Sequence, residues 1–172
     1  THSASSAASD VYKRQEFIWT VHYNGTPEEA AGLVAFLNAT PDDDTVIGTD
    51  STGFDWQTAG VWAQRRVDLG FVEPIGVRYF EIGNEIYGAV ADAGPGCADF
   101  GWENVATCDG LEYIEGIPEQ AGFLEFAEKM KLVDPTIEIG AVGVSPVDSW
   151  GNFGNEVLAA GGDAIDFYLS LI

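Results

Sequence analysis

Four short runs of bulky, β-branched and aromatic residues alternate with stretches of helical period, and this alternation limits the fold more than any other feature of the chain. Residues 17–23 (FIWTVHY), 76–85 (GVRYFEIGNE), 137–142 (IEIGAV) and 166–171 read as strands. They look apolar on both faces, as strands of a parallel sheet do when helices cover them on either side. Between the first two, Thr26 opens T-P-E-E, a capping box with Pro27 at the first helical position and Glu29 three residues after the cap. Ala30, Leu33, Val34 and Leu37 then fall on one face of a helix over 28–38. The acidic stretch 40–55 reads as a long loop. A helix over 61–69 stops at Gly70, and one over 118–132 carries Phe123, Phe126, Ala127 and Met130 at helical spacing. A short helix over 155–160 precedes the last strand. Between the second strand and the helix at 118 lies a loop of roughly thirty residues, and loops that long inside compact domains are usually functional or disordered.

The expected fold class is therefore α/β, with parallel strands alternating with helices. Neither G-x-G-x-x-G after a strand nor G-x-x-x-x-G-K-[ST] occurs, so nucleotide-binding doubly wound folds lose their strongest signature. A (β/α)8 TIM barrel is left in front. Eight units take about 250 residues, and four strands in 172 residues correspond to half a barrel. The expected organisation is a non-native or disordered tail over 1–15 and, over 16–172, a fragment of one (β/α)8 domain holding approximately strands 3 to 6. VYKRQ near the start and LSLI at the end resemble translated adaptor sequence, so residues 1–15 are left out of the fold reading and residues 169–172 carry little weight in it.

Charge narrows the partners. There are 28 acidic and 7 basic side chains, a formal net charge of −21. Phosphate neutralisation requires a basic face, so no nucleic-acid partner is expected, nor docking on an anionic membrane. No apolar run approaches the roughly 18 residues that span a bilayer. At 46% hydrophobic and 12% aromatic, the chain has ample material for a core. An acidic surface chiefly keeps a protein soluble; it also fits a neutral substrate better than an acidic one.

Cys97 and Cys108 share one Gly-rich stretch. A disulfide there would contribute about 3 kcal/mol by the chain-entropy model and would favour a secreted or periplasmic location; two free thiols are the alternative. Zinc sites bring closer cysteine pairs and partner histidines, and His2 and His22 are not near, so no metal is expected.

The chemistry concentrates in RYFEIGNEIYG, residues 78–88. Gly83 ends a strand, and Asn84 and Glu85 come next, where strand becomes loop. In parallel α/β folds that edge carries the ligands. A carboxylic acid on a rigid strand end beside aromatic walls can act as a general acid, and an amide offers a sugar hydroxyl both a donor and an acceptor. An ordinary exposed strand end is the plain alternative. Glu81 and Glu138 lie within predicted strands rather than at their ends. Glu81 is expected to pair with Arg78 or another cation.

VRYFEIGNEIYG resembles the strand-four signature of the clan of retaining glycoside hydrolases built on (β/α)8 barrels, and most resembles that of family 51 α-L-arabinofuranosidases. YNGTPEEAAGLVAFLN, RRVDLGFVEPIGVRYFEIGNE and MKLVDPTIEIGAVG support the resemblance in the same order, over roughly residues 17–168. It implies that Glu85 is the catalytic acid/base, that Asn84 binds the sugar 2-hydroxyl, and that no cofactor is needed. His22 and Asn24, at the end of the first strand, are further candidates for sugar contact. His22 stands where relatives usually carry an Asn, and a lone His on a strand is as often a core or rim residue. The implied partner is an oligo- or polysaccharide. α-L-Arabinofuranosides lead; β-xylosides and agar-type galactosides share the acid/base motif. The nucleophile of such enzymes ends strand seven and is expected beyond this chain. A catalytically inactive sugar-binding barrel is the alternative function, and a domain with no ligand is a third.

Overall fold

The computed structural model describes residues 17–88 and 109–170. The expected tail over 1–15 and the expected Cys97–Cys108 pairing lie outside the described residues. Four strands, β1 (Ile18–Val21), β2 (Tyr79–Ile82), β3 (Glu138–Gly143) and β4 (Phe167–Ser170), form one sheet in chain order, every neighbouring pair parallel. Helices fill the crossovers. α1 (Pro27–Asn38) and α2 (Ala59–Asp68) lie between β1 and β2, α3 (Gly110–Glu115) and α4 (Phe123–Val133) between β2 and β3, and α5 (Ser149–Gly161) between β3 and β4.

The capping box forms as read: the Thr26 side chain accepts from the Glu29 N–H at 3.1 Å, with Pro27 in the first turn. α1 then buries Ala30, Val34 and Leu37, and half-buries Leu33, against the core. One face of the sheet supplies Val21, Phe80, Ile82, Ile139 and Ala141 to that core. Phe126 and Met130 of α4 and Phe153 and Val157 of α5 complete it.

The other face is set by register. Thr20, Glu81, Gly140 and Phe167 are successive partners across the four strands and so project to the same side. Gly140 is required there, because a Cβ on it would lie 2.1 Å from the Phe167 ring. Glu138 opens β3 at its N-terminal end and ion-pairs with Arg78. Glu81 is buried within β2.

The acidic loop after α1 is irregular, with antiparallel bridges Val46 to Thr58 and Thr49 to Asp55. The Asp50 carboxylate accepts from the Thr52 hydroxyl at 2.6 Å and the Trp56 indole N–H at 2.7 Å. Beside this loop, Arg66 is wholly buried and donates to three backbone carbonyls, Phe36 at 2.7 Å, Ala39 at 2.9 Å and Phe71 at 3.1 Å.

Several elements differ from the sequence reading. β2 spans four residues rather than ten: it begins at Tyr79, three residues later than read, and ends at Ile82, three residues earlier, because the chain turns at Gly83 (φ +93°) and again at Glu85 (φ +50°). Part of the expected thirty-residue loop is ordered as α3 and a two-residue antiparallel pair, Gly116–Ile117 with Gln120–Ala121. That pair delays the start of α4 from 118 to Phe123. α5 begins at Ser149, six residues earlier than read, through left-handed backbone at Trp150, Gly151 and Asn152. Among the described residues, no helix is long and apolar enough to cross a membrane.

Candidate active site

The C-terminal ends of β1 and β2 are brought level by their register, Val21 opposite Ile82, and the Gly83 N–H extends the ladder by donating to the Val21 C=O at 2.8 Å. His22 and Asn24, just past β1, therefore lie on the same edge as Asn84 and Glu85, just past β2. Burial alternates along residues 21–24: Val21 and Tyr23 are buried, His22 and Asn24 exposed. The two candidates after β1 thus lie outside the buried core.

Tyr23 anchors that end, donating its hydroxyl to the Tyr113 carbonyl at 3.1 Å. The amide of Gln120, on the short hairpin, donates to the carbonyls of Tyr23 at 2.8 Å and Gly25 at 3.3 Å, fixing the turn between β1 and α1.

The second half of the edge is held just as firmly. Glu85 sits in the left-handed region at φ +50°, a conformation that costs a non-glycine residue about 1–2 kcal/mol. The turn persists because the next two residues are anchored. Ile86 and Tyr87 are buried, and the Tyr87 ring packs on Trp150 at 5.1 Å and edge-on to Phe153 at 5.9 Å. Asn84 is exposed and Glu85 half-buried. Burial raises the Tyr87 phenol pKa above its ordinary value, and the negative charge of Glu85 raises it further.

The edge therefore carries an amide and a carboxyl group on consecutive residues of one turn, with an imidazole and a second amide just past the neighbouring strand. Such a set can hold hydroxyl groups and exchange a proton. The four candidates lie on two adjacent strand ends, as the sequence placed them. The sequence reading missed the partners that position them, Tyr87, Tyr113 and Gln120. Tyr87, two residues beyond Glu85 and aromatic, was the one signal available.

A cavity of about 740 Å³ lies elsewhere, between the start of α1, the hairpin and α4, lined by residues including Pro27, Glu28, Gln120 and Lys129. None of the four candidates lines it. Four strands form a wall rather than an enclosure, so the strand-end edge is identified by its chemistry and not by a closed volume. Among the described residues, no group of three or more His, Cys, Asp or Glu is placed to hold a metal ion.

No family model matches the chain, and no curated protein matches it. Solved structures do. An α-L-arabinofuranosidase from Thermotoga maritima, determined as an arabinose complex, superposes with a TM-score of 0.55 at 26% identity, over 88% of this chain and 23% of that one. The thermostable GH51 α-L-arabinofuranosidase from Thermotoga petrophila RKU-1 gives 0.59 at 26% identity, over 90% and 24%. A third arabinofuranosidase structure gives 0.54 at 26%, over 88% and 23%. The family resemblance read from the sequence is thus found again in three dimensions. Parallel strands in chain order with helical crossovers are part of a (β/α)8 barrel, and the chain spans about a quarter of the length of the structures it matches.

Proposed function

We propose that this chain is part of the catalytic domain of a retaining glycoside hydrolase acting on α-L-arabinofuranosides in oligo- or polysaccharides, with Glu85 as the acid/base. The observation that carries this reading is the Asn84–Glu85 pair on the C-terminal edge of a parallel barrel wall similar to those of arabinofuranosidases. Glu85 protonates the leaving-group oxygen in the first step and takes a proton from water in the second. Asn84 holds the hydroxyl beside the reacting carbon, and His22 and Asn24 contact the sugar from the neighbouring strand end. Double displacement needs a second carboxylate about 5 Å from the first. We place that nucleophile outside these 172 residues, in keeping with the quarter of its relatives' length that the chain covers.

Glu85→Ala in the full-length chain tests the assignment. General acid catalysis contributes about 10²- to 10⁴-fold, and the loss on a natural arabinofuranoside should fall in that range. An aryl glycoside with a good leaving group needs little protonation and should lose less in its first step. The second step lacks its base, and azide should restore turnover by attacking the intermediate without deprotonation. Unchanged rates on both substrates overturn the assignment. Equal losses without azide rescue assign Glu85 to folding or binding instead.

A further inference from the structure

A side chain enters the main sheet at its functional edge. The Glu138 N–H donates to the Arg78 C=O at 2.8 Å, and the register runs from Tyr79 opposite Glu138 to Ile82 opposite Ala141. Carbonyls of β2 face β3 at every second residue, so the Ile82 C=O stands opposite the Val142 N–H. At this rung the Tyr113 hydroxyl donates to the Ile82 carbonyl at 2.6 Å and accepts from the Val142 N–H at 3.1 Å. Tyr113 is wholly buried, and its own carbonyl accepts from the Tyr23 hydroxyl. One residue of α3 therefore ties together the ends of β1, β2 and β3. α3 is itself braced, its Gly110 N–H donating to Glu156 at 3.0 Å and the Tyr113 ring stacking on Phe153 at 5.9 Å.

We infer that Tyr113 is a positioning residue for the Asn84–Glu85 turn: its hydroxyl sets the separation of β2 from β3 at the point where the turn begins. The inference rests on the glycosidase reading of that edge. Phenylalanine fills the same volume but leaves a buried carbonyl and a buried N–H without their bridge, so the strands must close or admit water. Glu85 lies three residues beyond Ile82, through Gly83 and in left-handed backbone, and a shift at Ile82 passes to its carboxyl group. Small displacements of a catalytic group cost rate rather than affinity.

Tyr113→Phe in the full-length chain should lower kcat on a natural arabinofuranoside by about ten- to hundredfold, with KM changed by less than about twofold. An activated aryl arabinofuranoside should lose less, so the ratio of the two kcat values moves. Phe123→Leu, whose native ring packs edge-on to Tyr113 at 5.9 Å, disturbs the same core without removing a hydroxyl. It should lower Tm and leave the ratio unmoved. A ratio in Tyr113→Phe equal to that of Phe123→Leu overturns the inference. If the unsubstituted chain hydrolyses no glycoside, the glycosidase reading fails, and the Gly83 and Asn84 amide resonances of Tyr113→Phe decide the positioning. Shifted resonances sustain it; unmoved ones end it.

Discussion

Glu85 and Tyr87 stand two residues apart on one turn, and the charge of the Glu85 carboxylate adds to burial in holding the Tyr87 phenol above its ordinary pKa of 10.0. Burial is the larger cause. Glu85→Gln should therefore lower the Tyr87 pKa only part of the way back, as read by ultraviolet difference titration against a Tyr87→Phe control. The shift also fixes a sign for stability. A phenol whose folded pKa is raised stabilises the fold fully below the unfolded value, and that contribution is lost as pH rises through the folded value. The alkaline limb of the stability curve should steepen above about pH 10 in the unsubstituted chain and flatten in Tyr87→Phe. A Tyr87 titration unmoved by Glu85→Gln would separate the two groups and remove Glu85 from the turn's electrostatics.

Arg66 closes the C-terminal end of α1. Its guanidinium is wholly buried, and the carbonyls it binds at Phe36 and Ala39 belong to the last turn and cap of α1, the negative end of that helix. The planar fork reaches three acceptors at once, which an ammonium on a flexible stem does not reproduce. Arg66→Met leaves buried carbonyls without their donor and should cost at least about 1–3 kcal/mol, and Arg66→Lys a large part of that. Urea denaturation gives both numbers. A cost of under about 1 kcal/mol in Arg66→Met would show that solvent satisfies these carbonyls.

Arg66 also shows where one-dimensional reading stops. In AGVWAQRRVD it is the neighbour of Arg65, and no spacing rule tells that Arg65 lies over the Trp62 ring at 4.0 Å while Arg66 is enclosed. Features written locally were legible: the Thr26 cap, the apolar faces of α1 and α4, the apolar runs of the four strands, and the strand-end position of Asn84 and Glu85. Features that depend on partners distant in sequence were not. β2 ends three residues before its sequence suggests, because FEIGNE is strand-like up to a turn that Glu85 completes against its own propensity. α3 is invisible in one dimension because six residues carry too little period, and its meaning lies in Tyr113 meeting Ile82 and Val142, about thirty residues away on either side.

The loop around Asp50 should respond to acid. Hydrogen bonds from the Thr52 hydroxyl and the Trp56 indole lower the Asp50 pKa to about 2 from an ordinary 3.8. A carboxylate with a depressed folded pKa stabilises its surroundings above the unfolded value and loses that contribution as pH falls through the folded one. The loop should loosen between about pH 4 and pH 2, visible as a change in Trp56 fluorescence, since that indole would lose its acceptor. Asp50→Ala should abolish this acid transition and show the loosened signal at neutral pH. The same transition persisting in Asp50→Ala would assign it to another carboxylate.

The sheet face opposite the helices is tightly filled at Gly140. Gly140 on β3 lies beneath the ring of Phe167, its register partner on β4, and that ring reaches across to an edge-on contact with Tyr79 at 6.0 Å. An added Cβ at 140 would sit 2.1–2.5 Å from three ring atoms, closer than any real contact. The ring must swing away, giving up its packing on Tyr79, or the strands must separate. Overpacking of this kind costs about 1–3 kcal/mol, so Gly140→Ala should destabilise by that amount although alanine suits a strand better than glycine does. The test is a double-mutant cycle. In a Phe167→Leu background the side chain above Gly140 has no ring to displace, and Gly140→Ala should be nearly neutral there. A Gly140→Ala cost that is the same in both backgrounds would place the penalty in the backbone rather than under the ring. The layer Thr20, Glu81, Gly140 and Phe167 lies one step below the edge that carries Asn84 and Glu85. Separation of the strands at Gly140 would reach Glu81, its register partner on β2, so Gly140→Ala should also perturb the amide resonances of Gly83 and Asn84, whereas Phe167→Leu alone, which separates no strands, should leave them in place.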